Sequence, residues 1–288
     1  MSQARNIRTN EHERGFLQDA LSEARRFDLA LIAAVPVLLL AVYALPQSRL
    51  EGLVFNTTAP SLVTAYASHF VHLDGFHLLG NLVVYLPVVG IAYLLCILSH
   101  RRQLFRVTFV ILLVAFPIAL SAMQLIFPRD RLIFGFSGIN AGFVGLACFA
   151  LAGYISVNIS QRADERYAPV LFFVAAGLIT LISLPARAYR FEISTASLAL
   201  AVVYLGFAIS QKGMPTVADL RAATDRPGYF EAAGAGFGLL VGYPFVAFQD
   251  VVVPGSGVLD VYIHLLGFSL AFIIVFAYVF VVATEEAS

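Results

Sequence analysis

The sequence predicts an all-α fold, a polytopic bundle of about eight membrane-spanning helices. Three features carry that expectation. Apolar residues make up 60% of the 288-residue chain and charged ones 12%, far from the roughly one-quarter charged of soluble domains. Mean hydropathy is +0.85. Apolar stretches close to the ~20 residues of helix that cross a ~30 Å bilayer core recur along the whole chain.

In order, the first 27 residues are polar and carry both signs of charge. That does not fit the short basic region of a cleaved signal peptide, so the first span is expected to be retained behind a polar tail. The spans then fall at about 28–45, 77–98, 105–127, 137–158, 168–184, 194–210, 230–248 and 261–283. They carry no Lys or Arg away from their ends, and the only acids are Asp28 and Glu231 near theirs. The connection 46–76, with LVTAYASHFVHLDGF near its end, is too apolar for a plain solvated loop. It reads as an amphipathic insert at headgroup level. Residues 211–229 form a polar linker.

Charge sets the expected orientation. With the N-terminus cytoplasmic, Arg49, Arg129, Arg131, Arg187 and Arg190 fall outside and the other 13 of the 18 Lys and Arg fall inside, as the positive-inside rule asks. Both termini are then cytoplasmic and the plasma membrane is the expected site. The formal net charge of zero offers no basic surface for nucleic acid. Cys96 and Cys148 lie inside apolar runs, which suggests neither a disulfide framework nor a thiolate metal site.

The chemistry-bearing residues gather at one level. His69, His72, His77 and His264 all map to the expected outer ends of the second and eighth spans. An ionisable group within a membrane is costly, so His77 and His264 are functional candidates, with interhelical bonding the plainer alternative. Asn81 follows His77 by four residues in HLLGN and shares its helix face. The fourth span opens with GFSG, placing Ser137 at a helix N-terminus where unpaired N–H groups favour an oxyanion. Gly135 and Gly138 beside it would let a substrate backbone approach. Gly138, Ala141, Gly142 and Gly145, facing Gly267 and Ala271 after His264, make small-residue faces on which the fourth and eighth spans can close. Spans two, four and eight run in the same direction, so His77, Ser137 and His264 share a side and a depth. The three upstream histidines lack a carboxylate-rich or His-x-x-x-His pattern, so no metal and no cofactor is expected.

His-x-x-x-Asn on the second span, Gly-x-Ser-Gly opening the fourth and His-x-x-Gly on the last resemble the rhomboid family of intramembrane serine proteases. The resemblance implies a six-helix catalytic core spanning 28–284, here with three spans rather than one between the serine and histidine helices. The pair near 168–210 then reads as an insertion. It implies a Ser137–His264 dyad, an oxyanion hole of His77, Asn81 and the Ser137 N–H, and supporting roles for Gly135, Gly138, Gly267 and His72. It also implies transmembrane protein substrates cut within the bilayer. Ala141 stands where the family favours a tyrosine, Ile263 where it favours a small residue and Ala271 where it favours glycine. The alternatives are an inactive relative that binds membrane clients and, further off, a transporter. Transporters coupled to ions usually keep buried charges in their spans.

Overall fold

The computed structural model describes residues 15–126, 130–183, 189–247 and 261–285. The first 14 residues, Arg129 and Arg187 of the charge distribution, and Glu286–Ser288 lie outside them. The elements in order are α1 (Phe16–Glu23), α2 (Arg26–Tyr43), α3 (Gln47–Gly52), β1 (Phe55–Asn56), α4 (Leu62–Ala67), a 3₁₀ turn (Ser68–Phe70), α5 (Gly75–Leu98), α6 (Arg102–Val114) and α7 (Phe116–Gln124). There follow β2 (Leu132–Ile133), α8 (Ser137–Asn158), a second 3₁₀ turn (Glu165–Tyr167), α9 (Ala168–Ser183), α10 (Arg190–Lys212), α11 (Val217–Thr224), α12 (Tyr229–Ala247) and α13 (Val261–Glu285). Among the described residues seven helices are long and apolar enough to cross a membrane, and eight crossings result if α6 and α7 count as one bent span. The chain is a multi-pass helical membrane protein.

The third expected span is where pattern and structure part. In place of one helix over 105–127, α6 and α7 meet at a 47° bend. Pro117, in the first turn of α7, has no N–H for the carbonyl four residues back, and its ring crowds that carbonyl. The carbonyl so released, Leu113 O, accepts a hydrogen bond from the Tyr66 hydroxyl at 3.2 Å. The second half of the polar tail, from residue 15, forms a helix. Its α1 docks at the far end of the bundle, where Asp19 pairs with the Tyr229 hydroxyl and Arg102 donates to Glu23 at 2.8 Å.

α8 is the centre. In its most apolar stretch 94% of residues are buried, against 22% in α10, because Gly142, Gly145, Ala147, Ala150 and Gly153 leave no bulk to hold neighbours away. α13 and α5 pack on opposite flanks of α8, and α12 and α9 close the rest. α10 packs chiefly on α9, stitched by Ser194 Oγ to Gly177 O at 2.9 Å and Ser197 Oγ to Phe173 O at 2.8 Å. The expected pair near 168–210 thus forms a hairpin with an outer member.

The insert between α2 and α5 has two characters. Leu62, Val63 and Tyr66 are exposed, whereas Ser68, His69, Phe70, Val71 and His72 are buried. β1 pairs antiparallel with β2, Phe55 opposite Ile133 and Asn56 opposite Leu132. This ties the insert to the segment that leads into Ser137.

Candidate active site

The N-terminal ends of α5, α8 and α13 converge at one end of the bundle. α5 begins with a capped turn, Asp74 accepting the His77 N–H at 2.9 Å. That fixes His77 in the first turn. Its imidazole lies on Gly135, where an added Cβ would come 2.7 Å from Cε1 and 2.9 Å from Nε2. Gly135 also has φ +108°, a backbone that side-chain-bearing residues rarely adopt. The space expected for a substrate backbone at Gly135 is therefore taken by the His77 ring. Gly138 is likewise enclosed, by Leu120 at 3.1 Å and Ile263 at 3.4 Å from the position a Cβ would take.

The segment before Ser137 is held from the insert. The Gly135 N–H donates to Ser68 O at 3.0 Å, and the Phe136 N–H donates to His72 Nε2 at 3.4 Å. An imidazole accepting at Nε2 is neutral, and burial with the neighbouring His77 pushes the His72 pKa down to about 3. The His72 and His77 rings meet edge to face at 4.9 Å. His72 thus braces both the His77 ring and the turn that opens α8.

On the other flank α13 crosses α8. A Cβ on Gly267 would run into the Gly138 carbonyl, and one on Gly145 would lie 2.6 Å from Phe268 O and 3.1 Å from Ala271 Cβ. Ile263 and Gly267 bracket His264, which is 2% exposed. His264 therefore sits at the crossing where half-buried Ser137 begins its helix.

Helical geometry places Ser137 between its two neighbours. At about 100° per residue, Gly138 lies about 100° to one side of Ser137, toward α13, and Asn140 about 60° to the other. Asn140 Nδ2 donates to Asn81 O at 3.0 Å and to Asn81 Oδ1 at 3.2 Å, so that side faces α5. Asn81 Nδ2 in turn donates to His77 O at 3.0 Å. The expected residues His72, His77, Asn81, Ser137 and His264 are brought to one end, with Gly135, Gly138 and Gly267 acting as the close approaches between them.

Asn140 escaped the sequence reading, although it had a signal as a polar residue inside an apolar span, as Asn81 is. His69 stood out in the sequence but its partner did not: it is fully buried and hydrogen-bonds Ser121 through Nε2 at 3.0 Å. A serine and histidine on different elements give no pattern in sequence. Among the described residues no group of three His, Cys, Asp or Glu side chains could hold a metal.

A hydroxyl at a helix N-terminus and an imidazole at the same crossing are the residue types of nucleophile and base chemistry, and an imidazole and an amide stand on the opposite flank. Comparison with protein-family models, with curated proteins and with solved structures finds no match.

Proposed function

We propose that this chain is an intramembrane serine protease of the rhomboid type, which cuts transmembrane or membrane-proximal segments of other membrane proteins. The observation that carries the reading is the crossing of α8 and α13, where the Gly138 carbonyl and Gly267 meet. This brings the serine at the start of α8 and the histidine one turn before Gly267 to one crossing. His77 on Gly135 and the Asn81 amide stand on the opposite flank, in support of an oxyanion site.

In this reading neutral His264 takes the Ser137 hydroxyl proton as Oγ attacks a substrate carbonyl carbon. The carbonyl oxygen becomes the oxyanion, met by the Ser137 N–H, His77 and Asn81. The tetrahedral adduct collapses, the C–N bond breaks and His264 returns the proton to the departing amine. Water, deprotonated by His264, then adds to the acyl-enzyme and releases the new carboxylate and Ser137. A helical substrate hides its carbonyls in its own hydrogen bonds, so segments unwound by Gly, Pro or polar residues are the expected targets. The location proposed is the plasma membrane, with both termini cytoplasmic and the site toward the outer leaflet.

The test uses purified full-length protein, a serine-directed fluorophosphonate and a single-span substrate. Wild type should label and cleave, while Ser137→Ala should do neither and His264→Ala should lose at least about 1,000-fold in kcat. Cleavage that survives Ser137→Ala would remove the dyad. Retention of substrate without labelling or cleavage would favour an inactive client-binding protein.

A further inference from the structure

We propose that Asn140 is a positioning residue for the oxyanion site, holding the Asn81 side-chain amide by its oxygen so that the NH2 group at the other end keeps its place. The proposal rests on the protease reading above.

Both amide orientations follow from two backbone acceptors. His77 O can only accept, so the end of the Asn81 amide beside it at 3.0 Å is Nδ2, and the end facing α8 is Oδ1. Asn81 O can also only accept, so the end of Asn140 that reaches it at 3.0 Å, and Asn81 Oδ1 at 3.2 Å, is Nδ2. Each amide thus has one orientation consistent with its neighbours. Without the Asn140 donor, Asn81 Oδ1 loses its partner among the described residues. The Asn81 amide is then held only at its Nδ2 end, by His77 O, and its plane can swing so that the NH2 group leaves the place where the developing negative charge needs a donor.

Helix adhesion does not account for this residue. Tyr85 of α5 already packs on Phe136, which leads into α8, and on Phe143 of α8, with ring centroids 5.8 and 6.0 Å apart. Asn140 is 1% exposed, and its own Oδ1 finds no hydrogen-bond donor among the described residues. A buried carbonyl oxygen without a donor is a standing cost. The residue is used through its NH2 alone, and both of those bonds go to Asn81. It lies within one helical turn of Ser137, so the lock acts at the depth of the reaction.

The test measures kcat and KM for the single-span substrate with full-length wild type, Asn140→Leu, Asn140→Gln, Asn81→Ala and the Asn81→Ala/Asn140→Leu double variant. Loss of one oxyanion donor costs about 100- to 1,000-fold in kcat. Asn140→Leu should therefore lose about 10- to 100-fold, with KM within about twofold of wild type, and Asn140→Gln should recover part of that loss. The decisive result is the double variant. If Asn140 acts through Asn81, it matches Asn81→Ala within about twofold, because the amide being locked is gone. Should Asn140→Leu fail to purify folded, Asn140→Ser, too short to span to Asn81, carries the same expectations. Unchanged kcat in the folded variant, or losses that multiply in the double variant, would overturn the assignment while leaving the protease reading intact. Wild type that does not cleave, or Ser137→Ala that does, would overturn both.

Discussion

Ser121 has one proton to give, and it goes to Ala65 O at 2.7 Å. The imidazole 3.0 Å from the same hydroxyl, His69 Nε2, must then be the donor. That orientation is the reverse of a base poised to activate a serine, so this buried pair ties the insert to α7. Burial pushes the His69 pKa down to about 4, as it does His72 to about 3. Both folded-state values lie below the ordinary histidine value near 6.5. The unfolded chain takes up protons from about pH 6.5 downward while the folded chain does not. The stability is therefore complete above about pH 6.5 and is lost as pH falls toward about 4 for His69 and about 3 for His72, by about 1.4 kcal/mol for each pKa unit each group is held down. The apparent melting temperature of the detergent-solubilised protein should drop over that window. His69→Gln should flatten the slope, and identical slopes would refute the account. Four of the six histidines drew notice in the sequence by their shared level, and two of them, His77 and His264, because a membrane makes an imidazole costly. Which imidazole faces which oxygen depends on ring contacts between separate elements.

Two spans carry a proline whose released carbonyl is met by a tyrosine. Pro117 frees Leu113 O, which accepts from Tyr66 at 3.2 Å. Pro36, inside α2, frees Ile32 O, which accepts from Tyr85 of α5 at 2.9 Å. A carbonyl left bare in hydrocarbon is expensive, so each hydroxyl offsets a proline on another element. Tyr66→Phe and Tyr85→Phe should each lower stability by about 1 kcal/mol, read as unfolding by titrated denaturing detergent. Stability equal to wild type in both would show that the carbonyls find other donors. The span boundaries were legible to within a few residues because hydropathy marks where helix enters lipid. The bend in 105–127 was marked only by Pro117. Whether such a proline bends or breaks a span depends on what stands ready to satisfy the carbonyl, here a tyrosine 47 residues away.

The bundle is organised around the small-residue face that α8 turns to α13. Gly267 meets a backbone carbonyl, whereas Gly238 on α12 faces open space. Gly267→Val should force the helices apart, costing about 1–3 kcal/mol as overpacking does, and should abolish cleavage by displacing His264. Gly238→Ala should leave both unchanged. Retained cleavage in Gly267→Val would mean that this crossing does not set the site. At the far end, Asp28 is fully buried yet charge-paired, accepting from Arg106 Nε at 2.6 Å and the Tyr93 hydroxyl at 3.1 Å. Arg101 pairs with Glu165 beneath Gly153. The clustering of Arg that suggested orientation thus also clamps α2, α5 and α6 together. The hairpin of α9 and α10 adds an outer layer, leaving the two motif-bearing flanks of α8 to α5 and α13.

The sequence alone determined the class of fold, the number and limits of most spans, and the few polar residues that lipid makes conspicuous. These are properties of single segments, set by the cost of burying charge and backbone in hydrocarbon. Only the tertiary structure decided that Gly135 houses the His77 ring, that Gly138 receives Gly267, that Asn140 donates to Asn81 and that His69 donates to Ser121. Each of those depends on distances between elements far apart in the chain, where hydrogen-bond direction and close packing act and hydropathy carries no information.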